Sequence, residues 1–506
     1  VTLAISRDMI ILFNESPHYP NRSVGVYRIA TVLRRHGVEV EVIDFMSAWE
    51  KNGENSLFEL LDTFENVEWW GFSGKFPLSD GSKTKIPGNS AEILGAYYLF
   101  TSKEFEERLI DYIRSRNGTI VVGGPNAYPL RKVLPEKFAD ILCDGYADNG
   151  VIAIHDHIVD AAELKYTDEY GFKVVDCNKD YGDIDLNNID VEYSETDFLE
   201  EDDIFPIEIT RGCIFQCAFC THTHTGKKAG TYIRSKESIK KDIVDRYTKY
   251  KTTQFMFVDD TFNDSIEKME MIAEIRQETG IPFEFWSYGR LDLLRSQPRM
   301  VDLIGETGWS SITFGVETFN RSSGKAIGKG ADPEKLKEFL LHLRERYPDL
   351  LIRVNIIIGL PDDTEESANE TVQWFLDNPK VCSKISVKQL AIFAKEGRRI
   401  VGKIGENLDK YGYKEIQTNN QATKTINSLS QTISWINKQS MTQDDAIKIA
   451  RNLRKKIKEV ISMRPTITLY RDEKMSIGED GNRVLSEKDR QTIIRYVWRK
   501  RNSRGL

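Results

Sequence analysis

Phe205-Pro206-Ile207-Glu208-Ile209-Thr210 is an apolar, strand-like run, and it passes straight into Arg211-Gly212-Cys213-Ile214-Phe215-Gln216-Cys217-Ala218-Phe219-Cys220. Three of the chain's 6 cysteines fall in this loop, while Cys143, Cys177 and Cys382 stand alone. Random placement gives such spacing in roughly one chain in a thousand, so the cluster has a chemical purpose. Two purposes compete. Zinc could be closed as a Cys3His site by His222 or His224. A cuboidal iron–sulfur cluster held by three thiolates leaves one iron open to an exogenous chelating ligand. A second cysteine pair is missing, a glycine precedes Cys213, and the loop follows a strand, where the catalytic loops of parallel barrels lie; all three favour iron and sulfur over zinc. His222 and His224 are then read as non-ligands near substrate.

Working outward, further strand-like runs follow at Gln254 to Val258, Phe283 to Tyr288, Ser311 to Val316, Leu351 to Ile358 and Lys384 to Ile392. Helical patterns intervene at Glu237 to Tyr250, Ser265 to Thr279, Pro298 to Thr307, Pro333 to Tyr347 and Glu365 to Asn378. Six strands joined by helical crossovers predict a partial (β/α)6 barrel with its chemistry at the carboxyl strand ends. Upstream, Met9 to Asn14, Val38 to Asp44, Val67 to Phe72, Thr119 to Val122 and Asp140 to Cys143 alternate with helical patterns, which predicts a doubly wound, Rossmann-like α/β sheet. Such sheets bind ligands beyond the carboxyl ends of their strands. Asn14, Gly71, Gly123, Gly124 and Gly145 stand there and would let a ligand approach the backbone, although glycines also serve plain tight turns. The Gly/Ser/Lys/Pro-rich stretch from Gly74 to Asn89 reads as an exposed loop, a lid or an insertion. The expected organisation is a doubly wound domain over 1–160, an acidic linker over 161–204, the barrel over 205–395 and a basic, mainly helical region over 396–506.

The chain has 506 residues, 40% of them hydrophobic and 29% charged, which suits about three globular domains and excludes a disordered or disulfide-stapled protein. No apolar run approaches the roughly 20 residues needed to cross a bilayer, and the start lacks a signal-peptide pattern, so a cytoplasmic protein without membrane contact is expected. The net charge of −8 hides an asymmetry. From Arg451 to Leu506, 16 Lys and Arg face 7 Asp and Glu, a local +9 against −17 elsewhere. Such a tail can contact nucleic acid, but a solvated helical face or packing on the body's own acidic surface is the commoner outcome.

The cysteine loop resembles the signature of the radical S-adenosylmethionine (SAM) superfamily, Cys-x3-Cys-x-aromatic-Cys, with Phe219 in the aromatic place. The resemblance continues through Tyr232-Ile233-Arg234-Ser235, Phe257-Val258-Asp259-Asp260-Thr261-Phe262, Ser287-Tyr288-Gly289-Arg290, Phe314-Gly315-Val316-Glu317-Thr318 and Ile358-Gly359-Leu360-Pro361. It covers about the first 400 residues and is nearest to the branch with an N-terminal cobalamin-binding domain. It implies a [4Fe-4S] cluster on Cys213, Cys217 and Cys220, and SAM held among Phe219, Arg234, Asp259, Arg290, Glu317, Gly359, Leu360 and Pro361. It also implies cobalamin near Asn14, Gly71, Gly123, Gly124 and Gly145, and an electron donor such as flavodoxin or ferredoxin. One departure is clear: the lower-ligand motif Asp-x-His-x-x-Gly is absent, since His18, His36, His155 and His157 do not stand in that spacing; many relatives also lack it. The activity implied is an oxygen-sensitive, cobalamin-dependent methyltransferase acting on an unactivated carbon. A rearrangement, cyclisation or oxidation, with or without cobalamin, is the alternative within the family. A zinc-dependent nucleic-acid-binding protein using the basic tail is the alternative from another class.

Overall fold

The computed structural model describes residues 9–14, 22–73, 103–124, 127–132, 134–182, 184–200, 203–221, 226–228, 231–395, 401–462, 476–477, 483–484 and 487–506. The Gly74 to Asn89 loop and both His222 and His224 lie outside them. The chain divides into two compact units, residues 1–206 with 474–506, and residues 207–473.

In the first unit β1 (Met9–Phe13), β2 (Glu39–Ile43), β3 (Val67–Ser73), β4 (Thr119–Gly123), β5 (Ile141–Asp144), β6 (Thr167–Glu169) and β7 (Phe172–Asp176) form one sheet in the order β2-β1-β3-β4-β5-β7-β6. Every pairing is parallel except β6 with β7. β1 has no exposed residue because both sheet faces are covered. Met9, Ile11 and Phe13 join a core with Leu57, Leu60, Leu109, Ile110 and Ile113, leaving Ile10 and Leu12 for the opposite face. The order reverses between β1 and β3, the switch point at which doubly wound sheets open a crevice.

Two stretches fold differently from expectation. Residues 161–204, read as an acidic linker, include β6 and β7, and β7 pairs with β5 from Ile141↔Lys173 to Asp144↔Asp176. The signal is short, Phe172, Val174 and Val175, and its acidic surroundings conceal it. The basic tail is not one region either. Helix Glu487–Asn502 belongs to the first unit, with Ile493, Tyr496 and Val497 inside its core. Its cations meet acids of that unit: Arg499 pairs with Glu200 at 2.7 Å, Arg501 with Glu59 at 2.7 Å, and Lys500 with Glu41. The Tyr496 hydroxyl accepts from the Asp44 amide at 2.9 Å.

In the second unit β8 (Phe205–Glu208), β9 (Gln254–Val258), β10 (Glu284–Gly289), β11 (Trp309–Glu317), β12 (Leu351–Ile358) and β13 (Lys384–Gln389) lie side by side in sequence order. The pairings from β9 through β13 are all parallel, the arrangement of a partial (β/α)6 barrel. The crossover helices begin where side chains can accept from otherwise unpaired amides: Ser235 before Lys236–Tyr250, Ser265 before Ile266–Thr279, Asp332 before Pro333–Arg346 and Thr364 before Glu365–Asp377. Gly280 and Gly308, both at positive φ, end two helices. Beyond β13 the region is mixed, with a two-stranded pair β14 (Tyr413–Glu415) and β15 (Trp435–Asn437) before helix Gln443–Ser462. Arg454 of that helix donates to the Val387 carbonyl at 3.0 Å, capping the edge strand β13.

Replacing Tyr496 with Ala removes a buried ring and its hydrogen bond from the first unit's core. Urea unfolding of that unit is expected to lose about 3–5 kcal/mol, whereas a surface tail would give no shift.

Candidate active site

Two extended segments root the cysteine loop. Arg211 N donates to Tyr232 O at 3.0 Å and Arg234 N to Ile209 O at 3.1 Å, so Tyr232 to Arg234 runs back along the end of β8. Within the loop, Lys227 N reaches Cys213 O at 3.0 Å, Gly226 N reaches Phe215 O at 3.1 Å and Cys220 N reaches Cys217 O at 3.0 Å. Ala218 is held from both sides: its amide donates to Ile327 O at 3.1 Å and its carbonyl accepts from Ile404 N at 3.0 Å. Gly402, at φ +73, leaves room for this loop, since a Cβ there would stand 2.9 Å from the Cys220 carbonyl oxygen.

Polar groups from the neighbouring strand ends face the thiols. Thr261, after β9, places Oγ1 3.6 Å from Cys213 Sγ. Burial pushes the Cys213 thiol up, and the Thr261 hydroxyl works against that. Arg290, after β10, places Nη1 3.9 Å from Cys217 Sγ, lies over the Phe215 ring at 4.0 Å and holds Asp292 at 3.0 and 2.6 Å. Burial alone would raise the Asp292 carboxyl, yet the guanidinium prevails and lowers it. Glu317, at the end of β11, is a buried non-glycine residue at φ +66, and its Oε1 is 3.0 Å from Lys329 Nζ. Lys329 also donates to Gly315 O at 2.6 Å and stands 6.0 Å from the Phe219 ring.

These contacts gather Cys213, Cys217, Phe219, Arg290 and Glu317 around the loop, and the five other residues expected to hold SAM have contacts elsewhere. Arg234 is nearly inaccessible, with Nη1 on Asp242 at 2.8 Å and on Glu208 O at 2.9 Å and the other nitrogens on Ser238. It serves as the structural ion pair that its position after a strand did not suggest. Asp259 pairs with Lys268 at 2.7 Å and accepts from Thr261 N at 2.9 Å, so it shapes the turn carrying Thr261. Gly359, at φ +89, packs against the Trp435 ring, and its carbonyl accepts from Tyr413 at 2.6 Å; Leu360 and Pro361 beside it are buried. Lys329 and Asp292 escaped sequence reading because nothing in their local spacing distinguishes them; Thr261 lies inside the Phe257–Phe262 motif, which does not by itself say which of its residues faces the thiols.

In the first unit, Asn14 gives its amide to Asp44 at 2.8 Å, a Cβ on Gly71 would enter Leu12, and Gly145, at φ +88, packs on Asn178. These are structural uses. Gly123 and Gly124 remain half-buried at the end of β4, and a Cβ on Gly123 would meet only Cys143, at an ordinary 3.8 Å. The zinc alternative calls on His222 or His224 as fourth ligand, and both lie outside the described residues.

Residues 207–375 match the model of the Radical SAM superfamily. A ribosomal protein uS12 methylthiotransferase of Thermotoga maritima is 28% identical over 184 residues, 35% of this chain and 42% of that protein. A bacteriochlorophyllide d C-8(2)-methyltransferase of Chlorobaculum tepidum is 26% identical over 285 residues, 53% and 59%. The matched stretches thus span about half the length of these relatives. Among solved structures, the radical SAM methyltransferase TsrM of Kitasatospora setae, with cobalamin and a [4Fe-4S] cluster bound, superposes with a TM-score of 0.58 at 14% identity, covering 82% of this chain and 81% of that one. The cobalamin-dependent radical enzyme OxsB, with aqua-cobalamin bound, gives 0.55 at 14% identity, covering 96% and 65%. At such identities the shared property is the fold.

Gly402→Ala tests the support of the cysteine loop. The variant is expected to lose about 1–3 kcal/mol in urea unfolding of the second unit and to show faster amide exchange at Ala218 and Ile404.

Proposed function

Because the chain carries a radical SAM domain at residues 207–375 and so belongs to that superfamily, we propose that it is an enzyme that holds a [4Fe-4S] cluster on Cys213, Cys217 and Cys220 and uses SAM to methylate an unactivated carbon, with cobalamin held by its first unit. The observation that carries this reading is the three-cysteine loop at the carboxyl end of β8, with the Arg290 guanidinium 3.9 Å from Cys217. Held there, the cluster would supply the electron for reductive cleavage of SAM, and cobalamin would serve as methyl carrier.

The chain's own residues prepare this chemistry. Arg290, anchored by Asp292, presents positive charge to a thiolate and stabilises it. Thr261 offers a hydroxyl to Cys213, and hydrogen bonds to cluster sulfurs are a principal means of setting a reduction potential. Glu317 and Lys329 place an anion and a cation side by side at the next strand end, suited to the ammonium and carboxylate of an amino acid. Gly123, at the end of β4, where a Cβ would meet nothing closer than Cys143 at 3.8 Å, would let a large planar ligand approach the backbone, and Gly124 follows it at φ +102. The electrons would come from a flavodoxin or ferredoxin. The known ion pairs of helix Glu487–Asn502 direct its cations inward to its own unit, which favours the enzyme over a nucleic-acid-binding protein.

Protein purified without oxygen is expected to contain iron and sulfide and, with dithionite and SAM, to release 5′-deoxyadenosine. Alanine at Cys213, Cys217 or Cys220 should reduce that release to background, and zinc in place of iron would overturn the reading. Arg290→Gln should keep its iron and move the cluster to a more negative potential in an electron paramagnetic resonance titration. Absence of a cobalamin absorption spectrum after reconstitution would remove the methyl-transfer reading and leave the radical chemistry in place.

A further inference from the structure

Two cysteines outside the cluster loop, 34 positions apart in sequence, are brought together by the sheet of the first unit. Cys143 lies near the carboxyl end of β5 and Cys177 directly after β7, and the parallel pairing of these strands sets Cys143 opposite Val175. Their sulfurs stand 3.0 Å apart, and both residues are buried free thiols. A disulfide bond is about 2.05 Å long, so a closure of about 1 Å separates the pair from bonding.

The surroundings treat the two sulfurs differently. Gly150 opens helix Gly150–Asp160 and lies against Cys177, where a Cβ would collide with the sulfur. Beside Cys143 there is room, because the end of β4 carries no side chain at Gly123 and a Cβ there would make only ordinary contact with Cys143. The hydrogen bond with Cys143 and then burial push the Cys177 thiol up, which keeps it protonated. Cys143 is thus the sulfur nearer to an approaching small molecule, and Cys177 stands behind it.

The pair is also attached to a turn. Cys177 opens the short helix Cys177–Asp180, whose Asn178 accepts from the Tyr146 amide at 2.9 Å and packs on Gly145. Asp176 accepts from the Lys179 amide at 3.1 Å and holds the start of that helix. A bond between the sulfurs would fasten the turn after β5 to the helix after β7 at the carboxyl end of the sheet.

We propose that Cys143 and Cys177 form a reversible disulfide on oxidation by hydrogen peroxide and that this bond fastens the Gly145–Tyr146 turn. Cys143 Sγ attacks one peroxide oxygen and the O–O bond breaks, giving a sulfenic acid and one water; Cys177 Sγ then displaces the hydroxyl, forming the S–S bond and releasing a second water. The sulfurs lose two electrons, the peroxide gains them, and both thiol protons leave in water. A dithiol reductant restores the thiols by exchange. The proposal goes beyond the reaction assigned to the second unit and does not rest on it.

The full chain, reduced and kept without oxygen, is treated with hydrogen peroxide, alkylated in denaturant, digested and mapped by mass spectrometry. A peptide cross-linked through Cys143 and Cys177 is expected at doses that leave the more exposed Cys382 free to alkylate, and dithiothreitol should remove it. Amide exchange at Tyr146 and Lys179 should slow several-fold in the oxidised chain. Cys177→Ser and Cys143→Ser should each lose the cross-link and the slowing. Cys143 and Cys177 both alkylated at a dose that oxidises Cys382, or either joined to another cysteine instead, overturns the proposal. So does a cross-link that leaves exchange at Tyr146 and Lys179 unchanged. The mapping of the unsubstituted chain decides the matter even where a serine variant fails to fold.

Discussion

The guanidinium of Arg290 is the tie on which the cysteine loop depends. It is buried, and a buried cation requires compensation from fixed partners. Asp292 supplies the formal charge, the Phe215 face supplies a cation–π contact, and the Cys217 sulfur lies within reach of a remaining N–H. Asn263 fixes the backbone from which it projects, accepting from Arg290 N at 2.8 Å and donating to Arg290 O at 2.9 Å. Two side chains therefore link these segments: Asn263, from the turn after β9, holds the end of β10, and Arg290 reaches from there to the cysteine loop after β8. Neutralising it would leave Asp292 partly buried without its partner, so loop geometry and loop electrostatics change together.

The same turn after β9 shows how a site is supported from behind. Lys268 enters from its helix to meet Asp259 and Asp264, both at 2.7 Å, and Tyr232 donates to Asp264. These groups are removed from solvent, and the pairings hold Thr261 toward Cys213. Burial raises the Asp264 carboxyl while Lys268 lowers it, so the site stays polar without carrying an isolated charge. Asp259 is thus important for position and contributes no direct contact to the thiols.

The strands were the most legible part of the sequence, because parallel strands covered by helices read as apolar runs bounded by turn signals. β9 and β12 fall on the expected residues, and the others differ mainly at their ends. The cysteine loop was legible for another reason: its spacing is a chemical requirement and stands free of tertiary context. What could not be read were long-range commitments. Arg234 and Glu317 look alike in sequence, each a charged residue beside a strand-end motif, yet Asp242 claims the first and Lys329 pairs with the second at the strand end. Gly359 reads as a place for a ligand until Trp435, 76 positions later, is known to cover it. The tail shows the same effect at larger scale. Local charge described helix Glu487–Asn502 as basic, but Glu41, Glu59 and Glu200, hundreds of residues upstream, decide where that charge goes.

The polar interior of the second unit follows from the number of strands. Eight parallel strands close on themselves, and the enclosed space is then a core that must exclude water and unpaired charge. Six strands in one open sheet cannot enclose it, and the inner face carries polar side chains such as Arg353 and Lys384. The outer face has no such freedom and alternates strictly with it along β12, where Ile352, Val354, Ile356 and Ile358 are buried between half-buried neighbours. Strand count thus supplies a hollow that accepts polar side chains, and period-two alternation assigns them to it. The carboxyl-end loops then carry the thiols at its rim. Stability and chemistry occupy opposite faces of the same strands, which lets inner-face residues differ in charge while the buried packing that holds the cysteine loop stays the same.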